Sequence, residues 1–234
     1  MPYRNMNIAE LARHIGMDAR EVKRLADKGV LPGQMVGGEW RFNRAQLLDW
    51  LQREMHSLSP EQIRNLERAM SEVADEALFG RLLAPEAVNM SLPARSRNSV
   101  LHELVALAER TGMLYDKPAL VQALEEREAL GSTALAGGFA SPPPRRPMPF
   151  ATAEPLACLA RVPGGIPFGA PDGGLTYVFV LVCSHDERQH LQTLARLALL
   201  FGSGLPRQLR DIDDATEALA LVITTERELL ARRR

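Results

Sequence analysis

Backbone punctuation in the first quarter of the chain leaves few folds open to it. Asn7, Gly16, Asp18, Gly29, Pro32 and the pair Gly37-Gly38 cut the sequence into short pieces, none long enough for an extended helix or a broad sheet. Asn7 caps a helix in which Ile8, Leu11, Ala12 and Ile15 share one face at i, i+3, i+4 and i+7. Gly16 stops that helix, Asp18 caps the next, and Val22, Leu25 and Ala26 form the buried stripe of the second. Gly29-Val30-Leu31-Pro32 then leads into Gln34–Phe42, where apolar residues on either side of Gly37-Gly38 read as a β-hairpin. A third helix, Arg44–Glu54, buries Leu47, Leu48, Trp50 and Leu51.

Two short helices joined by a tight turn at Gly16 have the layout of a helix-turn-helix. Arg20, Lys23 and Arg24 lie opposite the apolar stripe of the second helix, where a helix entering a DNA groove needs long polar side chains. Arg41 on the hairpin and Arg44 just after it can reach flanking phosphates, which position a protein without reading sequence. Trp40 and Phe42 read as the seal between hairpin and helices rather than as base-stacking groups.

These residues carry a resemblance. Asn7–Ala12, Ile15–Asp18, Val22–Leu25, Gly29–Pro32 and Val36–Phe42 resemble the excisionase/MerR-like winged helix-turn-helix family, almost without a break over Ile8–Leu51. The resemblance implies DNA binding through the helix around Arg20–Arg24, with the Gly37-Gly38 wing and Arg41 on the backbone. Glu39 departs from the family, which often has a basic residue there, and this weakens the expected wing contact.

Beyond this region, Ser59-Pro60-Glu61 starts a helix with Ile63, Leu66, Met70, Val73 and Ala77 at spacings of 3, 4, 3 and 4. Such a stripe suits either a short dimerising coiled coil or a helix docked on its own domain. From about Leu83 the pattern alternates: a strand at Ala87–Leu92, helices at Asn98–Arg110 and Lys117–Leu130, and β-rich runs at Leu156–Val162 and Thr176–Cys183. A helix over Glu187–Phe201 follows, with Leu191, Leu194, Ala195 and Ala198 on one face, and a last helix runs from about Asp213. Alternating strands and helices indicate a sheet covered by helices.

Charge is unevenly spread. Met1–Met55 holds nine Lys/Arg against seven Asp/Glu, while the rest of the chain holds 19 against 22. That asymmetry leans toward a polyanion partner at the N-terminal end. No apolar run is long enough for a membrane helix, no secretion signal opens the chain, and Cys158 and Cys183 form no C-x-x-C pattern. The expectation is a cytoplasmic bacterial protein with no disulfide framework, metal, cofactor or membrane partner.

The C-terminal part carries a second resemblance. Arg127–Thr133 (R-E-A-L-G-S-T), Ile166–Gly173 (I-P-F-G-A-P-D-G) and His190–Leu194 (H-L-Q-T-L), in that order, resemble the type-2 EIIA domain of the bacterial phosphoenolpyruvate:sugar phosphotransferase system, especially its nitrogen-regulatory branch. The resemblance covers about Leu82 to Leu230 and implies a mixed sheet flanked by helices. In that family the glycine-rich stretch after the G-S-T turn ends in an Ile/Leu-Pro-His motif whose histidine accepts a phosphoryl group. A neutral imidazole nitrogen suits that attack near neutral pH.

Here the stretch reads Gly138-Phe139-Ala140-Ser141-Pro142-Pro143, and the acceptor position falls on Pro143, which has no nucleophile. Ser141 lacks an evident base, and neither His102 nor His185 follows an Ile-Pro pair. His190 matches the family's second histidine, which helps stabilise the phosphoryl group. Two readings stay open for it: a residue that packs inside the cleft, or one that joins Arg145 and Arg146 in a pocket for an anionic ligand, since guanidinium groups grip phosphate in bidentate fashion. The two arginines alone also fit a solvated, proline-stiffened loop.

The expected organisation is thus two domains, α+β followed by α/β: a winged helix-turn-helix over 1–56, a linker or dimerisation helix over 57–82, and an EIIA-like domain over 83–234. The expected function is a DNA-binding regulator, a homodimer on two half-sites, whose phosphorylation-deficient EIIA-like domain senses a phosphate-containing ligand or a protein partner. It is not expected to be an enzyme. Two alternatives stand beside it, a phosphoryl-transferring EIIA component and a protein–protein adaptor without DNA binding.

Overall fold

A computed structural model describes residues 5–70 and 78–231, which divide into two compact units. The first comprises Met1–Ala74 together with Leu191–Leu199, and the second Asp75–His190 with Leu200–Arg234.

In the first unit, α1 (Ile8–Ile15) begins with a capping box: Asn7 accepts from the Glu10 N–H, and Glu10 accepts from the Asn7 N–H. Gly16 ends it at φ +68°, a left-handed conformation that favours glycine. Asp18 caps α2 (Ala19–Asp27), which turns Val22 and Ala26 into the core. Strands β1 (Gln34–Val36) and β2 (Glu39–Arg41) form the hairpin, with Gln34 opposite Arg41 and Val36 opposite Glu39. Asn43 caps α3 (Arg44–Glu54), which buries Leu47, Leu48, Trp50 and Leu51 as its spacing required.

Helix α4 (Pro60–Met70) buries Ile63, Leu66 and Met70 within this unit, close against α1. A pairing of two copies would therefore need a surface other than these three residues. Val73 and Ala77, which extend the same stripe, lie outside the described residues. Glu67 is also buried, and its carboxylate pairs with the buried guanidinium of Arg196, grouped in the same unit.

The second unit is built on a five-stranded mixed sheet in the order β3-β6-β7-β5-β4. A short helix α5 (Phe79–Leu82) leads into β3 (Leu83–Asn89). Helices α6 (Arg97–Glu109) and α7 (Lys117–Ala129) follow, then the two-residue strands β4 (Ala134–Leu135) and β5 (Phe139–Ala140). The central strands are β6 (Leu156–Ile166) and β7 (Thr176–Cys183), and the chain finishes through α8 (Glu187–Gly202), of which Leu191–Leu199 group with the first unit, then α9 (Leu205–Arg210) and α10 (Ala215–Ala231). β6 pairs parallel with β3 and antiparallel with β7, while β5 pairs parallel with β7 and antiparallel with β4.

Strand β7 is a nearly continuous apolar run because both of its faces are covered, as expected for a central strand of a mixed sheet. The expected strand at Ala87–Leu92 lies earlier, at Leu83–Asn89. Pro85 obscured its start, and the strand tolerates a proline because it is the sheet edge. Midway along β6, buried Arg161 donates from Nε to Met90 O at 2.8 Å and from Nη1 to Arg210 O at 2.8 Å, and it pairs with Asp213.

Candidate functional site

In the first unit, burial of Val22 and Ala26 fixes the roll of α2, so Arg20, Lys23 and Arg24 all face solvent. Several of these cations already have carboxylate neighbours. Lys23 Nζ lies 2.6 Å from Asp27 Oδ2, Arg24 NH2 is 3.7 Å from Glu21, and Arg41 NH2 is 2.7 Å from Glu39. Arg20 has no acidic partner among the described residues, and Arg44 is exposed at the first position of α3. The Glu39–Arg41 pair leaves the hairpin's arginine neutralised by a carboxylate of its own strand.

Phe42 is fully buried, and Trp40 stacks at 6.1 Å from it while its indole N–H donates to Asp27 Oδ1 at 3.0 Å. Trp40 thus fastens the hairpin to α2, while Phe42 lies in the core. The spacing of four residues between Lys23 and Asp27 could have signalled their own bond, whereas the Trp40–Asp27 bond spans 13 residues and has no local signal. Such pairs are weak at an exposed surface, where water and salt screen them, so phosphate oxygens can compete for these cations.

In the second unit, strand registers bring two loops to one end of the sheet. β5 ends at Ala140 opposite Phe179, β7 ends at Cys183, and β6 begins there with Leu156 opposite Cys183. Residues 141–146 and 184–190 therefore leave the sheet at the same end. Pro142, Pro143 and Pro144 are buried, whereas Arg145 and Arg146 are exposed. The Ser141 hydroxyl is buried without a hydrogen-bond partner, so no base is set to activate it.

Asp186 caps α8 by accepting from the Gln189 N–H, and His190 follows in the first turn, 1% exposed. Its Nδ1 lies 3.4 Å from Ser184 Oγ. Burial pushes its pKa down to about 4, with the Asp186 carboxylate pulling in the opposite direction. His190 is thus a neutral imidazole at neutral pH, but one closed to solvent, while the two arginines stand open to it.

Two of the three motif pieces are bonded to each other. Ser132 Oγ donates to Phe168 O at 2.6 Å, and Arg97 lies over the Phe168 ring at 5.5 Å. The Glu128 carboxylate accepts from Thr133 Oγ1 at 2.8 Å and from its N–H at 3.2 Å, while burial raises the Glu128 pKa. Arg127 donates to Gly131 O at 3.0 Å. Asp172 accepts from the Gly137 N–H at 3.1 Å, tying the Ile166–Gly173 piece to the glycine-rich stretch. Among the described residues, no group of three or more His, Cys, Asp or Glu side chains is placed to hold a metal ion, and no helix is long and apolar enough to cross a membrane.

Comparison with known proteins agrees with both resemblances. Residues 81–224 match the family model for the phosphoenolpyruvate-dependent sugar phosphotransferase system, EIIA 2, and residues 6–55 match a helix-turn-helix domain model. A nitrogen regulatory protein of Bradyrhizobium diazoefficiens is 35% identical over 138 residues, covering 57% of this chain and 87% of that protein. The crystal structure of nitrogen regulatory protein IIA-Ntr from Neisseria meningitidis superposes with a TM-score of 0.56 at 23% identity, covering 62% of this chain and 99% of its own. The mannitol IIA of Escherichia coli gives a TM-score of 0.53 at 18% identity, with 60% and 98% coverage. At these identities the two structures speak for the fold alone.

Proposed function

This chain belongs to the phosphotransferase-system EIIA 2 family through residues 81–224, and we propose that it is a DNA-binding regulator whose EIIA-type unit recognises a ligand or partner without relaying a phosphoryl group. The helix-turn-helix match at residues 6–55 supports the first half of this reading. The observation that carries the second half is Pro143, buried where the family resemblance calls for the acceptor histidine. His190 offers no substitute, because a ring that is 1% exposed cannot be reached by a phosphorylated carrier protein.

In this reading Arg20, Lys23, Arg24, Arg41 and Arg44 meet the DNA, and a homodimer engages two half-sites. The EIIA-type unit biases that engagement by favouring one of two arrangements of the chain when its ligand is bound. Arg145 and Arg146 supply the cationic rim of its recognition surface, and His190 is a packed group beneath it. DNA selection from a random pool with the full chain, repeated with Arg24→Ala, tests the first half. Enrichment of a two-half-site sequence, lost in the variant, is the expected result. Incubation with phosphoenolpyruvate and its carrier proteins tests the second half. No phosphohistidine should form, and labelling at His190 would restore the phosphotransferase reading.

The adaptor reading is favoured by one observation, the prior engagement of Lys23, Arg24 and Arg41 by protein carboxylates. Salt separates the two: phosphate contacts lose affinity steeply between low and physiological salt, whereas a protein adaptor shows no DNA affinity to lose.

A further inference from the structure

An aromatic side chain of the second unit stands in water without packing duty. Phe150 is 91% exposed, and Tyr115 is 72% exposed. Backbone bonds bring them to one stretch of surface: the N–H groups of Tyr115 and Asp116 both donate to Ala151 O, at 2.8 and 3.3 Å, and Leu114 bridges Thr152. Large exposed aromatics clustered in this way mark interaction sites more often than isolated apolar residues do.

The turn that presents Phe150 is held stiff. Pro147 and Pro149 restrict its backbone, the Met148 N–H donates to Ser184 O at 3.0 Å, and the Ala151 N–H donates to Met148 O at 3.1 Å. A pre-ordered turn loses little further freedom when a partner covers it, so more of the apolar burial appears as affinity. Arg145 and Arg146 are exposed in the same loop. An aromatic anchor beside arginines is the composition in which binding energy concentrates at protein interfaces.

We propose that Phe150 and Tyr115, with Arg145 and Arg146, form a docking surface for a protein partner whose apolar pocket is rimmed by aspartate or glutamate. The proposal rests on the reading of the second unit as a partner-recognition module. The arginines set the sign of the partner's rim by charge complementarity. A nucleic acid fits less well, because residues beyond Met55 carry 19 basic against 22 acidic side chains, which opposes a phosphate backbone.

The test takes the full-length protein through a random peptide display library, then titrates the enriched peptide against the wild type, Phe150→Ala, and the double variant Arg145→Glu/Arg146→Glu. Thermal melts of each variant confirm that the fold is kept, as exposed positions allow. The expected result is enrichment of peptides with an aromatic or Leu beside Asp or Glu, and a loss of about tenfold or more in affinity for both variants. Absence of such peptides, or affinity indifferent to both variants, overturns the proposal. Binding of single-stranded oligothymidine that Phe150→Ala abolishes overturns it in favour of nucleic acid. Concentration-dependent sedimentation that Phe150→Ala abolishes overturns it in favour of a second copy of the chain. DNA selection on the same preparations keeps the two ideas apart: DNA binding without peptide binding removes the docking surface and leaves the regulator, and the reverse outcome does the opposite.

Discussion

The indole of Trp40 and the carboxylate of Asp27 are hydrogen-bonded at 3.0 Å, and Lys23 Nζ holds the other carboxylate oxygen at 2.6 Å. One side chain thus fastens the hairpin to α2 and holds the exposed lysine that the proposed function sets against DNA. The Lys23 bond, then the Trp40 bond, holds the Asp27 carboxyl below its usual range. Asp27→Asn should free Lys23 while its amide oxygen still accepts from Trp40. The expected outcome is DNA binding tighter by about two- to fivefold at low salt, with the gain fading as salt screens the lysine. Asp27→Ala should gain less, since it also releases the hairpin. Fluorescence anisotropy on the selected DNA sequence checks both.

Gly16 is the turn on which the first unit depends. A Cβ there would lie 2.4 Å from Asn65 O on α4, and its φ is +68°. Gly16→Ala combines left-handed strain with a backbone clash and should cost about 2–4 kcal/mol, abolishing DNA binding without touching a basic residue. Gly37→Ala has a similar φ of +60° but meets nothing within 4 Å. It should cost only about 1 kcal/mol and leave DNA binding largely intact. Urea unfolding followed by Trp40 and Trp50 fluorescence separates the two.

A buried carboxylate starts the second unit. Glu226 Oε1 accepts from the N–H groups of Leu78 and Phe79 at 2.9 and 2.8 Å, and Oε2 accepts from Gly80 at 2.8 Å. One side chain of α10 therefore satisfies the opening donors of α5, 146 to 148 residues earlier in sequence. Glu226→Gln replaces an acceptor by an amide that cannot accept from Gly80, so it should lower stability by about 2–3 kcal/mol. Glu226→Ala should cost at least as much. The urea midpoint should fall with an unchanged slope, as for a change in stability alone.

What the sequence revealed and what it hid divide along the same line. Asn7, Gly16, Asp18 and Asn43 act on backbone groups within four residues, so α1, α2 and α3 were legible from local chemistry. The apolar runs of β6 and β7 were equally plain. Glu67, Arg161, Arg196 and Glu226 were not, because a lone charged residue reads as a solvated one until a distant partner is in place. The short strands β4 and β5 and the short helix α9 escaped for lack of periodicity. At the candidate site, Pro143 was visible in the sequence at the position where the resemblance expects the acceptor histidine. The burial of His190 and the exposure of Phe150 depend on which loops cover them, and no local pattern encodes that.

His190 gives the chain a calculable acid sensitivity. Its folded pKa of about 4 lies below the 6.5 of a free imidazole, so between those values the unfolded chain binds a proton that the folded chain refuses. The stability tied to the neutral buried ring is fully present above about pH 6.5, and it drains away as the pH falls toward about 4. The whole loss amounts to about 3 kcal/mol, because each tenfold weakening of proton affinity on folding is worth about 1.4 kcal/mol. His190→Gln removes the titrating group, so its stability should decline less than that of the wild type over this interval, even if it starts lower. Urea unfolding at a series of pH values from about 7 down to about 4.5 measures the difference between the two curves. Parallel curves would mean that the proton is taken up elsewhere and that His190 is open to solvent, which would also return it to consideration as a phosphoryl acceptor.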